Sequence, residues 1–232
     1  HNAQAYHADG GGASVQGHGY GALLGQFDAL IVHGEPTREA LLRGGIVDEA
    51  IHIVPHPPMR LKAADAHDLA AVPDAHLPRI LLFGTLRPYK GLDVLVQACL
   101  ALWEEGLGFE LAIAGKPFFD VDPLFAPVHE RGFGEMLVYD PGFHEEGRLD
   151  AHLRKADIIA FPYRHIDSSG AFLSALHYAK AMVASRTGMF AGLNGDAVAL
   201  SEPGDAAGLA DALRPLIRNG ALRQAGIGRA HV

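Results

Sequence analysis

Residues 79–106 read RILLFGTLRPYKGLDVLVQACLALWEEG, and this run decides the fold. RILLFG is a short apolar run closed by a glycine, which suits a buried strand. GLDVLVQACLALWEEG reads as a helix. Between them Arg87 and Lys90 place two positive charges where the strand hands over to the helix.

The same alternation continues towards the C-terminus. FELAIAG (109–115), MLVYD (136–140), DIIAFPY (157–163), MVAS (182–185) and DAVALS (196–201) read as strands. DPLFAPVHERG (122–132), EGRLDAHLRKA (146–156), SGAFLSALHYAKA (169–181) and GDAAGLADALRPLIRNG (204–220) read as helices. Apolar strands alternating with amphipathic helices give βαβ units and a doubly wound parallel sheet. The fold class is therefore α/β, with a Rossmann-like domain over 79–232. Upstream, DALIVHG (28–34) and AIHIVPHPP (50–58) read as strands flanking the helix EPTREALLRGG (35–45). They suggest that 1–58 is the C-terminal part of a second Rossmann-like domain. Residues 59–78 lack periodicity and read as an interdomain linker. Residues 1–25, rich in glycine and small polar groups, read as a loop.

Composition narrows the function. The chain has 232 residues, a formal net charge of −8 and a single cysteine, Cys99. That length buries roughly 70% of the unfolded surface. The acidic balance argues against nucleic-acid binding and general attraction to membrane surfaces, so an anion site must be built locally. A lone cysteine excludes a disulfide framework and favours a cytoplasmic setting. No apolar run approaches the ~18 residues of a spanning helix. The histidines are scattered without HExxH or a Cys/His cluster, so no metal site is expected.

Ligands of open α/β sheets sit at the carboxyl ends of the strands. Gly84 lets backbone approach closely there, and Arg87 and Lys90 put positive charge beside a helix N-terminus that itself favours anions. Two basic residues on a solvated loop would look the same locally. The exit FPYRHIDSSGAFLSAL (161–176) is a second wall. Ser168, Ser169 and Gly170 open a helix whose free N–H groups suit an anion, although ordinary capping also explains one serine. Arg164, His165 and Asp167 crowd the same exit. Gly115 ends a third strand, and Gly142 with Phe143 follows a fourth. Phe143 suits a planar base, and equally a hydrophobic staple.

Taken together, GTLRPYKG, LAIAG, PGFHEEGRLDAHLRKADIIAFPY, SSGAFLSALHYAKAMVASRTG and EPGDAAGLADALRPLI resemble, in order and spacing, the donor-binding domain of GT-B glycosyltransferases of the retaining group 1 (GT4) family. Residues 27–58 resemble the family's segment before its interdomain linker, so the resemblance covers most of the chain. It implies a GT-B fold and transfer of a sugar from a nucleotide-diphosphate sugar. The acceptor (a glycan, a lipid or a small molecule) stays unassigned, and peripheral membrane contact stays open. Neither a metal nor another cofactor is implied.

By the resemblance, Lys90 matches the family lysine that holds the donor diphosphate. The family arginine falls on Thr85, so Arg87 takes its place. Of two family glutamates, the second falls on Ser174, where relatives bind the ribose. The first falls near Ile166 and Asp167, and Asp167 is the acid available to touch the donor sugar. A family branch with D-x-S-G at this turn fits Asp167 to Gly170 better. His1 resembles a histidine that lines the catalytic cleft of the acceptor domain, which implies a chain that starts inside that domain. Retention implies chemistry on one face of the sugar, with the leaving phosphate taking the acceptor proton. The alternatives are a non-catalytic or degenerate nucleotide-sugar-binding module or scaffold, and a GT-B-like epimerase or phosphorylase. SRTG (185–188) offers no pyridoxal-phosphate lysine for the last.

Overall fold

A computed structural model of the chain describes residues 23–57, 59–193 and 198–226. The elements in chain order are β1 (Leu30–Val32), α1 (Glu35–Arg43), β2 (Ile51–Ile53), α2 (Ala66–Ala71), β3 (Arg79–Phe83) and α3 (Leu92–Glu104). There follow β4 (Glu110–Gly115), α4 (Asp122–Glu130), β5 (Leu137–Pro141), α5 (Glu146–Lys155) and β6 (Ile158–Phe161). The last are α6 (Gly170–Ala175), β7 (Ala181–Ser185), β8 (Ala199–Ser201), α7 (Ala206–Arg218) and α8 (Gly220–Gly226).

Six parallel strands form one sheet in the order β5-β4-β3-β6-β7-β8. β3, β4, β6 and β7 are buried along nearly their whole length, as strands covered by helices on both faces must be. One face packs Ile80, Leu82 and Ile113 under α3 and α7 through Leu95, Cys99, Leu209 and Leu213. The other packs Leu81, Ile159 and Phe161 under α5 and α6 through Leu153 and Phe172. The doubly wound GT-B fold read from the sequence is thus present. Burial raises the Cys99 thiol far above its usual pKa, so it behaves as an apolar core group. β1 and β2 pair in parallel beside α1, with Val32, Leu41, Ile46 and Ile51 as their core.

Residues 59–78 depart from the expected featureless linker. They contain α2, whose first turn is fixed by reciprocal bonds between Asp65 and Asp68. The capping box was missed because only six residues of helix follow it. The segment is fastened to the large sheet's domain. The Lys62 and Ala64 amides donate to Glu146 and Asp150, both at 2.8 Å. Lys155 Nζ caps the carbonyls of Leu69 and Val72 at 2.9 and 2.6 Å. The buried Arg79 guanidinium holds Glu110 at 2.6 Å and the Pro73 carbonyl at 2.7 Å.

Two boundaries also differ. The helix expected over 169–181 ends as a 3-10 turn at Leu176–Tyr178. Ala179 then adopts a left-handed conformation (φ 50°), which stops the helix without glycine, and the strand starts at Ala181.

Candidate functional site

The strand order reverses at β3. The chain steps from β3 to β4 to β5, then returns to place β6 on the opposite side of β3. A crevice opens at the carboxyl ends of the strands flanking such a switch point. The exits of β3 and β6 carry the two walls read from the sequence.

Glycines bring these exits into contact. A Cβ on Gly91 (φ +68°) would lie 1.9 Å from the Pro162 carbonyl oxygen, and the Arg164 amide donates to the Tyr89 carbonyl at 2.7 Å. A Cβ on Gly115 (φ +152°) would lie 1.9 Å from the Gly84 oxygen, so β3 and β4 end back to back. The Leu86 amide donates to the Lys116 carbonyl at 2.8 Å and the Phe118 amide to the Leu86 carbonyl at 2.9 Å.

Lys90 is held inside this stitched rim. It is 5% exposed, its ammonium donates to the Phe83 carbonyl at 3.1 Å, and it stands 5.6 Å from the centroid of the Tyr163 ring. No carboxylate pairs with it among the described residues. Burial accordingly lowers its pKa to about 8. A buried cation without a counter-charge is costly unless something anionic completes it.

Arg87, half-buried, lies 4.2 Å from the centre of the Phe118 ring. Lys116 stands 4.6 Å from the Phe143 ring and 5.5 Å from the Phe118 ring. Phe143 is 72% exposed, so it is not packed as a staple, and its contacts are Lys116 over the ring and the Phe118 ring edge-on at 6.4 Å. Gly142 before it holds φ +133°. Asp140 fixes the base of this loop. Its Oδ2 accepts from Arg148 Nη2 at 2.8 Å and from His152 Nε2 at 2.7 Å, and His144 Nε2 meets its backbone oxygen at 3.0 Å. Burial works to raise the Asp140 carboxyl, but the bonds from His152 and Arg148 outweigh it and hold the group below its usual value. Burial also depresses His152, against the pull of Asp140.

Asp140, His144 and His152 bring three atoms of metal-ligand type within 4.8 Å of one another, a cluster the sequence reading did not find. The fit to a metal is poor, because the Arg148 guanidinium already occupies the carboxylate and would repel a cation. The group works as a hydrogen-bonded brace for the Phe143 loop.

The second wall is only partly as expected. Ser169 caps α6, its hydroxyl oxygen accepting from the Phe172 amide at 3.2 Å. Its own amide donates to Met189 Sδ at 3.1 Å, so that amide is not free. Among the described residues, the donors left open are those of Gly170 and Ala171, the first residues of a six-residue helix. Ser174 is buried and donates its hydroxyl to the Gly170 carbonyl at 2.9 Å. That hydrogen is committed to the helix backbone rather than to a ribose. Arg164 pairs with Asp93 in the first turn of α3, so its charge is engaged there. His165 lies 5.8 Å from the Tyr89 ring, and burial, with Arg164 nearby, lowers its pKa while Asp167 opposes. The Asp167 carbonyl accepts from the Met189 amide at 3.2 Å, which anchors the loop beside residues 188–190. Thr85 and Ser168 are half-buried on the two loops. His1 lies outside the described residues.

Lys116, Phe118, Tyr89 and Tyr163 join the site without having been singled out in the sequence. The signal for Lys116 was present, a lysine directly after a strand-ending glycine. Tyr163 and Met189 gave no local signal, because chain segments far apart in sequence bring them to the site; the Asp140 brace did carry one, the four-residue spacing of Asp140, His144, Arg148 and His152.

Comparisons with known proteins agree on the family. The family model described as "Glycosyl transferases group 1" matches residues 77–219, more than half the chain. No curated protein sequence matches. Among solved structures, HepE of Anabaena in complex with UDP-glucose superposes with TM-score 0.74 at 16% identity, over 90% of this chain and 59% of that one. Sucrose-phosphate synthase of Thermosynechococcus elongatus gives TM-score 0.73 at 20% identity, over 97% and 58%. The C-terminal domain of the group 1 glycosyl transferase LpcC of Francisella tularensis gives 0.63 at 16% identity, over 75% and 92%. The chain thus spans under three fifths of the first two proteins.

Proposed function

The chain belongs to the group 1 glycosyl transferases, and from that premise we propose that its switch-point crevice binds the diphosphate of a nucleotide-sugar donor for sugar transfer. One observation carries the reading: Lys90 is a buried cation without an acidic partner among the described residues, at the β3 exit, where glycines let the neighbouring loops close around it. A diphosphate supplies the missing counter-charge. Arg87 stands on the same loop, and the Gly170 and Ala171 amides at the opening of α6 are the further donors proposed for the phosphates. Phe143 offers its exposed ring to the base, with Lys116 beside it. HepE, solved with UDP-glucose, supports a uridine donor as the first to try.

The chemistry proposed is retaining and needs no metal. The bond from the sugar's anomeric carbon to the diphosphate oxygen breaks, and a bond to the acceptor oxygen forms on the same face. The acceptor proton passes to the leaving phosphate. Lys90 and the helix amides stabilise the negative charge that grows on the departing diphosphate. Asp167 is the acid proposed for the donor sugar. The division proposed is an acceptor-side domain ending near 58, a linker over 59–78 and a donor domain over 79–232.

Thermal-shift titration of the chain with UDP, GDP and ADP sugars tests this. A donor at a hundred times its dissociation constant stabilises by about 2.7 kcal/mol. Absence of stabilisation by every one of the three contradicts donor binding. Release of free sugar or of nucleoside diphosphate separates the enzyme from a binding module that retains the crevice without turnover.

A further inference from the structure

A second charged recess lies outside the crevice. The linker passes from Met59 over the face of the donor domain, and between it and the end of α5 is a cavity of about 510 Å³. Its walls carry Arg60 from the linker, Asp150 and Arg154 from α5, and His177, Tyr178 and Lys180 from the turn before β7. Lys180 directly precedes the N-terminus of β7, so the recess sits towards the rim opposite the strand exits.

The charges do not balance. Arg60, Arg154 and Lys180 are basic and His177 is a fourth basic group, against the carboxylate of Asp150 on the wall and that of Asp157, whose charge reaches Lys180 and opposes the lowering of its pKa by burial. Asp150 is already fully engaged. Its Oδ1 accepts from the Tyr178 hydroxyl at 2.6 Å, and its Oδ2 accepts from the Ala64 amide at 2.8 Å and from Arg154 Nε. Only Nε of Arg154 is used in that pair, which leaves its terminal nitrogens as donors. Lys180 spends one of its three hydrogens on the Arg154 carbonyl at 2.8 Å. Among the described residues Arg60 and His177 have no hydrogen-bonding or ionic partner. An excess of positive charge gathered in one recess of a chain of net charge −8 is unfavourable alone, and favourable around an anion.

We infer that this recess binds a phosphate group, carried either by a soluble phosphate ester or by a lipid headgroup. Arg60 approaches from the linker while Arg154, His177 and Lys180 approach from the donor domain, so the bound phosphate bridges the two. The linker is already moored beside it through the Lys62 and Ala64 amides, and the phosphate adds a charge-assisted clasp at residue 60.

The test uses the chain carrying Lys90→Met, which weakens phosphate binding in the crevice, and compares the recess variants in that same background. Inorganic phosphate is titrated calorimetrically at low salt, and vesicles of phosphatidylcholine with phosphatidic acid are tested by co-sedimentation against phosphatidylcholine alone. Arg60→Gln with Lys180→Gln is expected to weaken the binding by about tenfold or more. Amide hydrogen exchange over 60–64 slows with phosphate in the parent and not in the double variant. Arg60→Lys with Lys180→Arg keeps the charge and retains binding, which separates loss of the site from loss of the fold. Binding of free phosphate without vesicle adhesion assigns the site to a soluble ester; adhesion to the phosphatidic acid vesicles assigns it to a headgroup. The inference is overturned if neither probe binds, or if the Gln variants bind as the parent does.

Discussion

The Lys90 ammonium donates to the carbonyl of Phe83, the last residue of the strand that precedes its loop, at 3.1 Å. The bond turns the side chain back under its own loop and into the rim. Lys90→Met keeps the aliphatic stem and removes the charge. Because burial lowers the Lys90 pKa from 10.5 to about 8, the charged form costs the unliganded fold on the order of 3 kcal/mol. The variant is expected to unfold at higher denaturant concentration than the parent without nucleotide, and to bind UDP about 1.5–3 kcal/mol more weakly. Chemical denaturation and calorimetry check the two halves separately.

The same shift gives a pH dependence with a definite sign. A lysine whose folded pKa is depressed destabilises the fold below that pKa, and the penalty fades as pH rises from about 8 towards 10.5. Nucleotide affinity runs the other way. The terminal phosphate loses its second proton near 6, so above about 8 its charge is constant while Lys90 loses its own. UDP affinity is expected to fall above pH 8, by at most about tenfold per unit. A flat profile between pH 8 and 10 removes Lys90 from the phosphate site.

Gly91 and Gly106 separate close approach from backbone conformation. Both have positive φ, +68° and +81°. A Cβ at Gly106 meets nothing within 4 Å, whereas at Gly91 it would lie 1.9 Å from the Pro162 oxygen. Gly106→Ala is expected to cost about 1–2 kcal/mol, the price of a left-handed alanine. Gly91→Ala adds the displacement of the β6 exit and is expected to cost more and to weaken nucleotide binding. Equal losses in both would mean that the two exits are not in contact.

Phe143→Ala removes an exposed ring that packs little, so stability is expected to change by no more than about 0.5 kcal/mol. Base stacking on an aromatic ring contributes about 1–3 kcal/mol, so UDP affinity falls by that amount if the ring holds the base. Calorimetry against UDP and against pyrophosphate distinguishes the roles: only UDP responds.

Acid weakens the brace behind that ring. His152 is buried with its Nδ1 unpartnered among the described residues, and its folded pKa lies below the usual histidine value. Stability carried by the neutral ring is present above about 6.5 and is lost as pH falls through the lower folded pKa. Hydrogen exchange across 141–145 is expected to quicken in that window in the parent and to stay level in His152→Gln.

The alternation of strands and helices was legible because each element carries its own period, and the glycine-flanked Arg87 and Lys90 loop announced itself between two of them. The spatial order of strands was not legible, since nothing local to RILLF or DIIAF says that β3 and β6 are neighbours. The Ser169 amide was misjudged because its partner, Met189, comes from a distant loop. Ser174 looked like a ligand contact by position, yet mid-helix serines bond their own backbone four residues back. The recess at Arg60 stayed hidden because its members are spread along the chain and folding collects them, whereas the Asp140 brace is local, with Asp140, His144, Arg148 and His152 at four-residue spacing, and that spacing went unread.

The central claim is that Lys90 waits, buried, for a diphosphate, and the direct measurement is the titration of its ammonium by nitrogen-15 lysine NMR with and without UDP. The Lys90 resonance, identified by its loss in Lys90→Met, is expected to titrate near pH 8 in the free chain and to move upward by a unit or more when UDP is saturating. A resonance that titrates near 10.5 in the free chain, or one that UDP leaves unmoved, contradicts the account.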